Sequence, residues 1–136
     1  MNEIFSLLEK NKLSRTPCRL EVLKTLKYSG SALSEAEIRE KIGDHYDRTT
    51  VYRTLRNFLK QDVIHSISLD GGEVRYALTP QKDMAHSSHH VHFFCNDCNG
   101  VFCISHQAFD TPRLPAGFKP ESFDLLIQGR CGKCGK

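Results

Sequence analysis

The chain has 136 residues, of which 39% are hydrophobic and 26% charged, and its net charge is +3. This length accommodates one large domain or two small ones and excludes most large catalytic folds. No apolar run reaches the roughly 18 residues that span a membrane, and the first ten residues lack a signal-peptide layout. We therefore expect a cytoplasmic globular protein whose six cysteines stay reduced and serve metal or redox chemistry rather than disulfides.

The first half of the sequence predicts four helices followed by a hairpin. Apolar residues at helical spacing mark a short first helix, and a second helix opens at Pro17, since proline is tolerated in a first turn. The third has the capping-box pattern of Ser34 and Glu37. After the fourth, residues 65–69 and 74–78 alternate with period two around an Asp-Gly-Gly turn. This order predicts a winged helix-turn-helix.

The fourth predicted helix starts near Asp47 or Thr49 and has two different faces. One is an apolar stripe that must pack inward. The other is polar and can reach phosphates and base edges. A solvated helix face is the alternative, but a wing-like hairpin after the helix favours a recognition helix. The candidate DNA-contacting residues here are Thr49, Thr50, Tyr52, Arg53 and Arg56, with Lys60 on the same face.

Charge is concentrated although the net charge is small. Residues 10–27 hold six basic side chains and one acidic one, and residues 47–60 hold four basic side chains and one acidic one. Two local basic surfaces on a nearly neutral chain suit docking to phosphates.

The composition changes near residue 80, after which five of the six cysteines occur. We therefore predict two domains, residues 1–80 and 81–136, joined at the histidine-rich stretch 79–90. Short strands are expected around 92–94, 101–104 and 123–128, and three prolines make a long helix between the last two improbable. The predicted fold class is α+β, a winged helix-turn-helix followed by a small α/β domain.

Two CxxC pairs are the strongest chemical pattern in the sequence. Four thiolates can enclose a tetrahedral zinc ion in a closed structural site, one per chain. A pair of redox dithiols is the alternative, but that motif belongs at a strand-to-helix junction. A catalytic zinc needs an open water position, which four cysteines do not leave, so we do not expect an enzyme. The four residues are Cys95, Cys98, Cys131 and Cys134.

Histidines precede the first CxxC pair. On a strand, His90 and His92 point to the same side, as two ligands of one metal ion would, whereas His89 points away. Two imidazoles suit zinc, iron(II), nickel or copper but do not complete a site, and solvated histidines are an equal alternative. Cys18 and Cys103 have no partner at ligand spacing and are predicted to be buried small hydrophobic residues.

Four segments together resemble the ferric uptake regulator family. The resemblance implies a homodimeric, metal-responsive transcriptional repressor with a C-terminal dimerisation domain. It also implies that Tyr52 and Arg53 read the operator, that Arg15 approaches the minor groove, and that the four cysteines hold the structural zinc. The segments are Arg-Thr-Pro at 15–17, DRTTVYRTL at 47–55, HVHFFCNDC at 90–98 and CGKC at 131–134.

The regulatory metal sites of that family are incomplete here. Ala32 and Ala77 stand where two ligands of one site are expected, and Val91 and Phe123 replace ligands of another. Only the histidine pair at 90 and 92 remains. The side chains that could replace the missing ligands are His86, His89, His106 and Asp110. The sequence does not determine where they lie relative to the histidine pair.

The function predicted from the sequence is a sequence-specific DNA-binding repressor. It acts as a homodimer on an inverted-repeat operator, with one structural zinc per chain and no membrane partner. A second divalent metal would switch DNA binding; the alternatives are a metal-insensitive or thiol-redox-switched regulator of the same fold. From other classes, a dithiol oxidoreductase and a metal buffer remain as alternatives, although a metal buffer leaves the basic helix face unexplained.

Overall fold

The computed structural model describes residues 2–79, 89–104, 113–120 and 123–135. The chain divides into two compact units, Met1–Thr79 and Pro80–Lys136. Helices and sheets occur together, which confirms the predicted α+β class. Residues 80–88 of the predicted hinge at 79–90, and residues 105–112 and 121–122 around the proline-rich segment, lie outside the described residues. Within the described ranges, every helix is too short or too polar to cross a membrane.

The first unit contains the four helices and the hairpin that the sequence predicted. The hairpin strands are antiparallel, and Leu33 adds an isolated bridge to Tyr76. The first strand begins one residue earlier than its alternation indicated, because Ile64 pairs with Leu78 and is itself buried. The elements are α1 (Asn2–Lys10), α2 (Pro17–Tyr28), α3 (Glu35–Ile42), α4 (Arg48–Lys60), β1 (Ile64–Ser68) and β2 (Val74–Leu78).

Side-chain caps fix where the helices begin. The Ser34 hydroxyl accepts the N–H of Glu37 at 3.2 Å, and the Glu37 carboxylate accepts the N–H of Ser34 at 2.9 Å. This confirms the predicted capping box, which satisfies two backbone donors that a helix start leaves free. Asp47 caps α4 by accepting the N–H of Thr50 at 2.9 Å. Local sequence therefore sets the first turn of both helices of the helix-turn-helix.

Replacing Ser34 with alanine should lower the free energy of unfolding by about 1 kcal/mol, because the Glu37 N–H loses its acceptor. Urea unfolding followed by circular dichroism measures the change. Ser6→Ala is the control, since Ser6 is exposed within α1 and should show no loss. Equal stability of Ser34→Ala and the unchanged protein would contradict the role of the cap.

The apolar stripe of α4 forms much of the core of the first unit. Val51, Leu55 and Phe58 are fully buried among residues of the other three helices and β1. Thr54 is also buried; its hydroxyl donates to the Thr50 carbonyl at 2.9 Å, and its oxygen lies 3.5 Å from the Cys18 sulfur. Cys18 is 4% exposed, as predicted. Burying this stripe leaves the polar face of α4 in solvent.

The second unit contains a three-stranded sheet with strand order β4-β3-β5. The central strand is antiparallel to β4 and parallel to β5. The strands that the sequence predicted are present, and β3 is longer than expected because pairing with β5 runs from His89 to Cys95. Leu125, on the edge strand β5, is 40% exposed. The strands are β3 (His89–Cys95), β4 (Val101–Cys103) and β5 (Phe123–Gly129).

Candidate nucleic-acid interface and metal centre

The outward face of α4 is basic, polar and exposed. The helix contains no acidic residue, so nothing along it opposes the approach of a phosphate. Tyr52 is 51% exposed, so its ring is accessible to a partner. The predicted DNA-contacting residues in α4 that lie in solvent are Thr49, Thr50, Tyr52, Arg53 and Arg56.

At the start of α4, hydrogen bonds and a basic side chain together lower the pKa of the capping residue Asp47. Side-chain and backbone hydrogen bonds from Thr50 lower the pKa of the Asp47 carboxyl group, and the positive charge of Arg53 lowers it further. Asp47 is therefore a carboxylate at neutral pH, and the positive charge of Arg53 favours that form.

Tyr76 on β2 interacts electrostatically with residues on the exposed face of α4, a relation that sequence reasoning missed. Burial raises the pKa of the Tyr76 hydroxyl, with smaller effects from Glu35 and Tyr52, while the positive charge of Arg56 lowers it. The Tyr76 hydroxyl is thus within electrostatic reach of two candidate DNA-contacting residues. The only sequence pattern pointing to it was an aromatic residue in the predicted wing.

Arg15 is exposed in the segment before α2. Its guanidinium carbon lies 4.4 Å from the centre of the Phe5 ring, a cation–π contact that restricts the side chain. Nearby, Arg19 donates to the carbonyl oxygen of Ser14 at 3.1 Å and to its hydroxyl at 2.9 Å. The structure therefore holds two arginines in defined positions next to the start of α2.

In the second unit the four CxxC cysteines converge on one point. Their sulfur atoms all lie within 4.8 Å of one another, and those of Cys98 and Cys131 are 3.9 Å apart. A tetrahedral zinc ion with Zn–S bonds of about 2.3 Å keeps its sulfurs about 3.8 Å apart. The donor set and its spacing therefore fit a zinc ion.

Tight turns bring the thiols together. The carbonyl of Cys95 accepts the N–H of Asn99 at 2.9 Å, and Asn99 adopts a positive φ of 61°, which asparagine tolerates. At Gly100 a Cβ atom would lie 2.9 Å from the Phe102 ring and 3.3 Å from the Cys98 sulfur. Any side chain there would require the Phe102 ring and the Cys98 sulfur to shift, so glycine fits this turn best.

The cluster divides into thiolate and thiol when no metal is bound. The Cys95 sulfur accepts N–H hydrogen bonds from Cys98 at 3.5 Å and Cys131 at 3.4 Å, and these lower the pKa of Cys95 to about 6. Hydrogen bonds with the sulfurs of Cys131 and Cys95 raise the pKa of Cys134 to about 12. A bound cation would replace the remaining protons, which is the usual behaviour of thiolate metal sites.

His92 and Cys103, two residue types that can bind metals, lie close together in the second unit. They lie opposite each other on β3 and β4, and a ring nitrogen of His92 is within 4.8 Å of the Cys103 sulfur. His92 is 6% exposed, and burial raises the pKa of Cys103 to about 11. The prediction that Cys103 is a buried small hydrophobic residue was wrong in part, because Cys103 is only partly buried. It also missed His92, because the strand pairing that joins the two residues is not a spacing in the sequence.

The structure describes only some of the other histidines after residue 80. His89 and His90 lie in β3, where they pair with Phe123 and Asp124 of β5. The remaining replacement ligands considered from the sequence, His86, His106 and Asp110, lie outside the described residues.

Comparison with known proteins gives consistent matches along most of the chain. The sequence model of the Ferric uptake regulator family matches residues 10–127. The ferric uptake regulation protein of Bordetella parapertussis is 27% identical over 139 aligned positions, which cover 96% of both chains.

Solved structures show the same fold. The ferric uptake regulator from Francisella tularensis, determined with iron, is 26% identical over 91% of this chain and 96% of its own, with a TM-score of 0.62. A zinc uptake regulator solved in complex with zinc and DNA is 22% identical over 98% of this chain and 91% of its own, with a TM-score of 0.69.

Proposed function

The chain belongs to the ferric uptake regulator family and is a DNA-binding transcriptional regulator, and on that premise we propose that it is a homodimeric repressor of an inverted-repeat operator. The observation that carries this proposal is the exposed face of α4, which joins arginines, threonines and a tyrosine without any acidic residue. Repression follows when a bound dimer covers a promoter.

In the proposed complex α4 enters the major groove. Arg53 and Tyr52 contact base edges, since arginine pairs with guanine through two hydrogen bonds and a tyrosine ring packs on thymine methyl groups. Thr49, Thr50 and Arg56 bind phosphates, which set the register of the helix on the duplex. Arg15, held by the ring of Phe5, approaches the minor groove.

We assign DNA binding to residues 1–80 and dimerisation to residues 81–136. An edge strand presents unpaired N–H and carbonyl groups that can pair with another chain. In the described sheet β5 is such a strand, seven residues long, and it exposes Leu125. Pairing through β5 would place the two recognition helices on symmetric half-sites, which explains an inverted-repeat operator.

The four cysteines of the cluster hold one structural zinc per chain in this proposal. A closed site with four thiolates supplies stability and no catalytic water, so the protein is not an enzyme. His90 and His92 contribute to a second divalent-metal site whose occupancy switches DNA affinity. The protein acts in the cytoplasm, where its thiols remain reduced.

Selection from a pool of random duplex DNA tests the proposal. The zinc-loaded protein should enrich an inverted repeat, and sedimentation of the purified complex should give two chains per duplex. Operator affinity should fall steeply as salt rises, because phosphate contacts release counterions. A failure to enrich any sequence, with the protein folded and zinc-loaded, would reject the function.

A further inference from the structure

Arg15 lies on a basic surface of the first unit, between α1 and α2. Its side chain is exposed, and so are those of Lys10 at the end of α1 and Lys12 in the turn that follows. Between residues 10 and 27 a single acidic residue opposes six basic ones. Such a surface attracts the phosphates of a duplex, but attraction alone gives a long, flexible arginine no defined direction.

Hydrogen bonds fix the backbone on both sides of Arg15. Before it, the Arg19 guanidinium donates to the carbonyl oxygen of Ser14 at 3.1 Å and to its hydroxyl at 2.9 Å. After it, the Thr16 hydroxyl oxygen accepts the N–H of Arg19 at 3.4 Å and so caps α2. The backbone of Arg15 therefore has a defined place beside the first turn of α2.

The first turn of α2 packs against α4. Cys18 in α2 and Thr54 in α4 are both buried, and the Thr54 oxygen lies 3.5 Å from the Cys18 sulfur. Arg15, three residues before Cys18, is thus anchored to the same core as the recognition helix. An arm anchored beside a recognition helix can enter the minor groove next to the major-groove contact.

The ring of Phe5 restricts the side chain of Arg15. Phe5 is half-buried in α1, and the Arg15 guanidinium carbon lies over its ring, 4.4 Å from the centre. A guanidinium packed on a ring can still donate to DNA, because its five N–H bonds lie in its own plane. An arginine loses rotamer freedom when it binds DNA, and a contact that already restricts it lowers that cost.

We propose that Phe5 is a positioning residue that determines specificity, because it presets Arg15 for the minor groove beside each α4 contact. The inference rests on the proposed function, in which Arg15 approaches that groove, and adds the residue that directs it there. A·T pairs lack the amino group that guanine places in the minor groove, and a narrow A·T groove attracts arginine. The preference of this chain for A·T pairs at that position therefore depends on the Phe5 ring.

A base analogue separates the two grooves in a binding experiment. Replacing adenine with 2,6-diaminopurine keeps the adenine pattern in the major groove and adds an amino group in the minor groove. Fluorescence anisotropy measures the affinity of the zinc-loaded, full-length protein for the selected operator with and without this replacement. The unchanged protein should bind the diaminopurine operator about fivefold or more weakly, as for one mismatched base pair. Arg15→Ala should bind the two duplexes almost equally.

Substitutions at Phe5 test the positioning role. Phe5→Leu keeps an apolar side chain but removes the ring, so it should weaken operator binding about two- to fivefold, the range of an exposed cation–π contact. It should also discriminate less against diaminopurine, and Phe5→Tyr, which keeps a ring, should restore both properties. In the Arg15→Ala background Phe5→Leu should cause no further loss, because the ring acts through the arginine. A merely structural defect would weaken binding to both duplexes and add to the effect of Arg15→Ala.

Tyr28→Leu is the matched control, because it removes another cation–π contact from the same unit. The Lys27 nitrogen lies 5.6 Å from the centre of the Tyr28 ring, at the opposite end of α2 from Arg15. Lys27 also keeps its ion pair with Glu3 when the ring is lost. Tyr28→Leu should therefore bind both duplexes as the unchanged protein does.

Three results would overturn the proposal: full discrimination in Phe5→Leu, a Phe5→Leu loss that adds completely to that of Arg15→Ala, or the same loss of discrimination in Tyr28→Leu. Normal operator binding by Arg15→Ala would also overturn it, and would remove Arg15 from the minor groove while the repressor stands. A folded protein that enriches no operator would instead reject the repressor, and this inference with it.

Discussion

Removing zinc from the four-cysteine cluster should unfold the second unit and leave the first unit folded. The fully buried apolar side chains of the described second unit are few, chiefly Val91, Cys95 and Val101, whereas the first unit has a continuous core. Structural zinc sites have apparent binding free energies of about 10–16 kcal/mol at neutral pH, comparable to the whole stability of a domain. A small sheet with so little core depends on that contribution.

Chelation under reducing conditions, followed by circular dichroism and limited proteolysis, measures the effect. Cleavage should move into the residues after 80 while residues 1–79 stay resistant. Cys134→Ser should reproduce this loss, and Cys103→Ser should retain one zinc because its thiol lies outside the cluster. Returning zinc at pH 7 should also release a proton, since the pKa of Cys134 is about 12 without metal. A metal-free chain that stays fully resistant to protease would show that the zinc is dispensable.

Arg53→Ala should weaken binding to the selected operator by about 1–3 kcal/mol, which is about 5- to 150-fold in affinity. The reason is the loss of two directed hydrogen bonds to a base edge from the exposed face of α4. Binding to unrelated DNA should change much less, because phosphate contacts supply non-specific affinity. The substitution should not affect folding, since Arg53 lies in solvent.

Fluorescence anisotropy with operator and scrambled duplexes at one fixed salt concentration separates these effects. Arg113→Ala is the charge-matched control, because it removes an exposed arginine from the second unit and should leave operator affinity almost unchanged. An equal loss on both duplexes would mean that Arg53 binds phosphate rather than a base. Unchanged operator affinity would remove α4 from the recognition role.

Patterns local to the sequence were enough to predict the first unit. The caps at Ser34 and Asp47 and the stripe along α4 depend on residues three or four positions apart, so helix geometry alone relates them. The CxxC pairs could be recognised as metal ligands for the same reason, because each pair places two thiols in one turn. The sequence by itself therefore determined the order of the elements, the exposed face of α4 and the choice of the four cysteines as a ligand set.

Contacts between distant segments were decided only by the tertiary structure. Pairing of β3 with β4 brings Cys103 opposite His92, and the hairpin brings Tyr76 within electrostatic reach of Tyr52 and Arg56. The parallel pairing of β3 with β5 also has no signature in either strand alone. A strand's alternation shows which residues share a face, but not which strand lies beside it or in what register. Register depends on the packing of the whole sheet, and for that reason the sequence did not show that Cys103 lies opposite His92.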